Sequence, residues 1–195
     1  MRTSVPEKLL KVAEDIAAEG DASLTRLTVL KKWFERPERL SAFALWVAQR
    51  AISRKGKTIG EGAKLFREAK AILSDLDRFR PSLSAERQES TRALYGRLQA
   101  FQNEYRDSRW ARIRTIENWN LYLVEKSLAI LLNPFSQPAH GYKLAADYCQ
   151  HYDPRYGNGL NGPSQGKIME MMRWMFTVEA LEDERPKTSK AKGER

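Results

Sequence analysis

Apolar side chains recur at three-to-four spacing along almost the whole chain, the period of a helix with one buried face. Leu24, Leu27, Leu30 and Phe34 form one such stripe, which Pro37 must end because the residue before a proline is driven out of the helical region. The next stripe, Leu40, Phe43, Ala44, Val47 and Ala51, is widened by Leu45, Trp46 and Ile52, so this helix should be well buried. Ser4 with Glu7, and Thr58 with Glu61, match the S/T-x-x-E capping box, while Gly20 and Gly56 stand where helices should stop. A helix from about Ile59 to Leu76 is expected to turn Leu65, Phe66, Ala69, Ile72 and Leu73 inward.

From Ala85 to Leu132 the only breaker is Gly96. An unbroken helix there would run about 72 Å at 1.5 Å per residue, longer than one compact domain is wide. A break is therefore expected near Arg106 to Arg109, where Asp107 and Ser108 can cap a new helix. Beyond it Trp110, Ile113, Ile116, Trp119, Leu121, Leu123, Val124, Leu128 and Leu131 cover most of the helical circumference, which predicts the central helix. A last helix should begin after Pro163 and Ser164 and carry Ile168, Met171, Met172, Met175, Phe176 and Val178. No strand is expected. The pattern predicts an all-α, single-domain bundle of about seven helices with a central buried helix across residues 1–184, then a disordered basic tail at 185–195.

Composition narrows the function classes. With 42% hydrophobic and 30% charged residues, the chain can bury a core without help. One cysteine excludes an intrachain disulfide and the paired cysteines of a zinc site, which favours a cytoplasmic protein. The longest apolar run, Ala42 to Ala48, falls far short of a membrane span, and Glu7, Glu14, Asp15 and Glu19 interrupt any leader-like stretch. No membrane association is expected. The net charge of +9 raises nucleic acid as a partner, but the excess is spread over the first half of the chain, and only Arg50, Arg54, Lys55 and Lys57 cluster. A helix-turn-helix reader would need polar side chains along its recognition helix, where this chain has LSAFALWVA.

One segment departs from the helical background. HGYKLAADYCQHYDPRYGNGLNGPSQG, residues 140–166, holds both histidines, the only cysteine and four of the seven tyrosines. If helical to Tyr152, it places His140, Asp147 and His151 along one face, with Asp147 positioned to orient the His151 imidazole four residues on. Asp147 and His151 are the candidate catalytic pair. Residues Lys143, His151, Tyr152, Arg155, Tyr156, Asn158 and Lys167 are the candidate ligand-binding set, the loop amides and cations converging on an anion. A phosphate-binding P-loop is excluded, since Asn161 and Ile168 stand where glycine and Ser or Thr are required.

No metal site is expected, because the two histidines would lie about 16 Å apart on a helix and no Glu-x-x-His occurs. No cofactor is implied. Glu117, Asn118 and Asn120 interrupt the central helix and suggest a buried ion pair, and Cys149 should pack as a small apolar side chain. The sequence thus points to a non-catalytic helical protein that binds a protein partner or small anionic ligand through the 140–166 corner. A small acid–base enzyme using Asp147 and His151 on an anionic substrate, and a weak nucleic-acid binder, are the alternatives. An apolar patch exposed near Met171 to Phe176 would favour a protein partner.

Overall fold

The computed structural model describes residues 31–53, 60–77, 81–107, 116–133, 136–152 and 160–183. The fold is all-α, as the periodicity predicts: six helices of twelve residues or more and a one-turn helix among the described residues, against about seven expected. The one-turn helix α1 (Lys31–Phe34) gives way to α2 (Pro37–Ser53), whose first position is the proline that ended the preceding stripe. Its fixed φ suits a first helical turn, where the missing N–H has no partner to lose. Ala42 to Ala48 are all buried, so α2 lies inside the bundle rather than on its surface. It packs most extensively on α5 (Ile116–Leu132), whose Leu121, Leu123, Val124 and Leu128 are fully buried. The centre is therefore shared by two helices.

Between α2 and α5 the chain forms α3 (Glu61–Leu73) and α4 (Ala85–Asp107). α3 opens on Gly60, at φ 71° and ψ −138° and without a side-chain cap; Thr58 of the expected box lies outside the described residues. The left-handed φ explains the glycine, since only that residue adopts it without steric cost. Leu65, Ala69 and Leu73 of α3 meet the buried Thr91, Leu94 and Leu98 face of α4. Outside, Arg97 reaches Glu61 at 2.8 Å and Glu68 at 2.6 Å. The break expected near Arg106 to Arg109 concerns residues that lie partly outside the described ones, and the Ser4 box, the Gly20 and Gly56 stops and the 185–195 tail lie outside them altogether.

The corner corrects the all-helical expectation. Helix α6 (Pro138–Cys149) ends at Cys149, and Gln150, at ψ 136°, carries the chain into β1 (Gln150–Tyr152). β1 pairs antiparallel with β2 (Leu160–Pro163), Gln150 opposite Pro163 and Tyr152 opposite Leu160. Side-chain spacing alone suggested helix to Tyr152. Pro154 argues otherwise, because it disfavours helix at Asp153, and the Asn- and Gly-rich run behind it lets a second strand supply the backbone partners a helix would have supplied. The last helix, α7 (Gln165–Asp183), begins where Pro163 and Ser164 predict. Ser164 caps it, its carbonyl accepting from Ile168 N at 3.0 Å.

Aromatic rings join these elements. Trp46 lies 4.9 Å from Tyr148 and 5.1 Å from Trp174, and Trp174 in turn lies 5.8 Å from both Trp33 and Phe43, centroid to centroid. Met171, Met172 and Met175 are buried beside them. Met171, Met172 and Met175 therefore belong to the core, while Trp174 and Phe176 are partly buried against it.

Candidate functional site

Four residues of α6 share one helical face, His140, Lys143, Leu144 and Asp147, at relative positions 0, 3, 4 and 7, with Leu144 buried at the core. The same spacing recurs on α5 and its end in Lys126, Ala129, Ile130 and Asn133. Such spacing aligns side chains along one side of a helix. The two faces line a cleft of about 490 Å³, completed by Tyr95 of α4, by Leu132, and by Ser136 in the connection before α6. Its floor is apolar and its rim carries cations, an imidazole, an amide and a hydroxyl.

Two tyrosines and a buried carboxylate organise the rim. Tyr122 stacks on Trp119 with centroids 5.0 Å apart, and its ring face lies 5.2 Å from Lys126 Nζ. The Tyr122 hydroxyl donates to Asp147 Oδ2 at 3.0 Å. Lys126 is also held by Glu125, whose carboxylate is 2.9 Å away and almost fully buried. Ring face and carboxylate both attract Lys126, which orients its side chain at the cleft edge. Burial and the neighbouring Glu125 charge push the Tyr95 phenol up, keeping it neutral, and its oxygen accepts from Gln99 Nε2 at 2.7 Å.

Asp147 is the least comfortable group in the cleft. Burial raises its carboxyl above the ordinary value of 3.8; the Tyr122 hydrogen bond and the Lys143 and Lys126 charges oppose the rise without cancelling it. The folded protein thus keeps this proton to higher pH than the unfolded chain does. As pH rises from near 3.8 through the folded value, the unfolded chain ionises first and native stability falls, levelling off above that window. Asp147→Asn removes the slope and keeps an acceptor for Tyr122. Thermal midpoints of the two proteins between pH 3 and 7 should diverge in favour of the variant as pH rises, then stay apart; parallel curves would overturn the assignment.

The structure brings Lys143 and Asp147 of the expected set into this cleft, together with His140. His151 and Tyr152 lie beyond the end of α6 in β1, so the four-residue helical spacing between Asp147 and His151 is not formed. Arg155, Tyr156 and Asn158 fall outside the described residues. Lys167 is engaged elsewhere: its ammonium donates to the Gln150 carbonyl and lies 5.9 Å from the Tyr148 ring. Cys149 is buried, its thiol pushed up to about 12 by desolvation, and packs with Met171 as an inert side chain. Asn120 is buried too, its Oδ1 without a hydrogen-bond partner among the described residues. Glu117 and Asn118 have no described side chains.

Comparison with family models, curated proteins and solved structures finds no match to this chain. Tyr122 and Lys126 went unnoticed in the sequence because α5 reads as wholly core, and Tyr95, Asn133 and Ser136 because nothing local brings them to α6. The repeated 0, 3, 4, 7 spacing of polar and small residues on α5 and α6 was the available signal.

Proposed function

We propose that the protein is a non-catalytic binding module for a small anionic ligand with an apolar body, held between α5 and α6. The observation that carries this reading is the pair Lys126 and Lys143 beside an apolar strip of Ala129, Ile130, Leu132 and Leu144 in one cleft. Small-molecule sites are typically concave, roughly 300–1,000 Å³, mostly apolar and furnished with a few fixed polar groups, and this cleft has each property. Lys126 is oriented by Glu125 and Tyr122, while Lys143 is exposed and forms no ion pair among the described residues. Cations elsewhere are committed to acids: Arg97 to Glu61 and Glu68, Arg50 to Glu170, Arg87 to Asp75. Among the described residues these three pairs each place an acid beside the cation, which weakens its pull on a polyanion.

The test is calorimetric titration with 4-methylpentanoate, 3-phenylpropanoate and inorganic phosphate. The two carboxylates should bind and raise the thermal midpoint, and phosphate, lacking an apolar body, should bind more weakly. Lys143→Gln should weaken carboxylate binding by roughly tenfold or more, the value of a charge-assisted hydrogen bond of about 1.5–3 kcal/mol, while circular dichroism shows the helical fold retained. Absence of carboxylate binding, or equal affinity in the variant, overturns the reading.

A further inference from the structure

A purely anionic ligand leaves one feature of the cleft unanswered. Asp147 lines it as a half-buried carboxylate whose one hydrogen bond among the described residues comes from the Tyr122 hydroxyl. No Lys, Arg or His among those residues comes within ion-pair contact of it. Buried charges are normally paired, because the lost hydration is otherwise uncompensated. The two lysines act on Asp147 only at longer range. An incoming anion drawn to those lysines would add a second negative charge beside this carboxylate, and like charges so placed repel. A ligand that brings its own cation to Asp147 reverses the sign of that interaction.

Spacing supplies the complementary half. Lys143 and Asp147 stand four residues apart on α6, one helical turn, so their side chains leave the helix about 5–6 Å from each other. That presents a positive and a negative group side by side at one end of the cleft. Beyond them Ile130 and Leu144 continue the apolar strip. We propose that the ligand is a zwitterion of the α-amino-acid type, its ammonium on Asp147, its carboxylate on Lys143 and Lys126, and its apolar side chain along Ile130 and Leu144. This rests on the anion-binding reading above and adds the second charge to it. The carboxylate anchors the ligand at the lysines, the ammonium satisfies the half-buried acid, and the side chain displaces water from the apolar floor.

The deciding experiment is calorimetric titration of the full chain at pH 7 with L-leucine and L-phenylalanine, each against its deaminated counterpart, 4-methylpentanoate and 3-phenylpropanoate. Each amino acid should bind at least tenfold more tightly than the acid that lacks the ammonium. Asp147→Asn, which preserves size and an acceptor for Tyr122, should abolish that preference and tighten binding of the deaminated acids, whose repulsion from the carboxylate it removes. Equal binding of amino acid and deaminated acid, or a preference that survives in the variant, overturns the inference and leaves the anion-binding reading standing. Failure of all four compounds to bind overturns both.

Discussion

Trp46→Ala should lower the thermal midpoint by roughly 6–20 °C, the largest single-residue effect expected in the molecule. Trp46 is 5% exposed and touches three other rings, Phe43 at 5.9 Å, Tyr148 at 4.9 Å and Trp174 at 5.1 Å. Truncation removes the buried area and leaves a void between α2, α6 and α7 that close-packed neighbours cannot fill. Such changes cost about 3–5 kcal/mol, and in a chain of this length each kcal/mol moves the midpoint by roughly 2–4 °C. Alanine's better helix propensity returns at most about 0.7 kcal/mol, too little to alter the sign. The guanidinium of Arg50, 5.8 Å from the Trp46 ring, loses its aromatic face as well. Trp46→Phe keeps an apolar ring in the same place and should cost less than half as much. Circular dichroism melts of both variants decide the matter; a shift below about 2 °C in the alanine variant would remove Trp46 from the core.

The same residue shows why the fold was readable. Residues 40–51 carry their burial in local sequence: an apolar stripe, a proline at the start, an acid in the first turn and Arg50 in the last. Those signals depend only on neighbours three or four positions away. The start of α3 was harder, because Gly60 takes a left-handed φ that a Thr–Glu match cannot reveal. The strands were missed because β1 and β2 are three and four residues long and exist only by pairing with each other across a loop.

The candidate site divides along the same line. Asp147 and Lys143 were legible as polar residues in an unusual segment of chain. Their partners were not, since Tyr122 and Lys126 lie on a helix whose composition announces only burial, and nothing local says that its Lys126, Ile130 and Asn133 side faces α6. Lys167, just past the segment, supports the Gln150 carbonyl beside the hairpin and not the cleft.

Gly141→Ala should destabilise the protein even though it replaces glycine by alanine inside a helix. Propensity alone predicts a gain of about 1 kcal/mol. Space decides against it, because a Cβ at position 141 would lie 2.6 Å from Phe34 Cγ and 2.7 Å from Leu40 Cδ1. Neither neighbour can withdraw freely: Phe34 is 1% exposed and wedged between Trp33 and Phe43, at 5.3 and 5.0 Å. Relieving the overlap must separate α6 from α1 and α2, at about 1–3 kcal/mol for overpacking of this kind. The net is a midpoint lower by a few degrees for alanine, and lower still for Gly141→Val, which adds two further carbons and loses helix propensity. Gly96→Ala is the matched control. Gly96 is exposed on α4 with nothing within 4 Å of an added Cβ, so there the propensity gain stands alone and the midpoint should rise by roughly 2–4 °C. Opposite signs from the same chemical change would show that close helix approach, and not backbone freedom, keeps glycine at 141. Because His140 and Lys143 flank this position, pushing α6 outward also shifts one wall of the cleft. Gly141→Val should therefore weaken 4-methylpentanoate binding at temperatures where the variant is still folded, while Gly96→Ala leaves it unchanged.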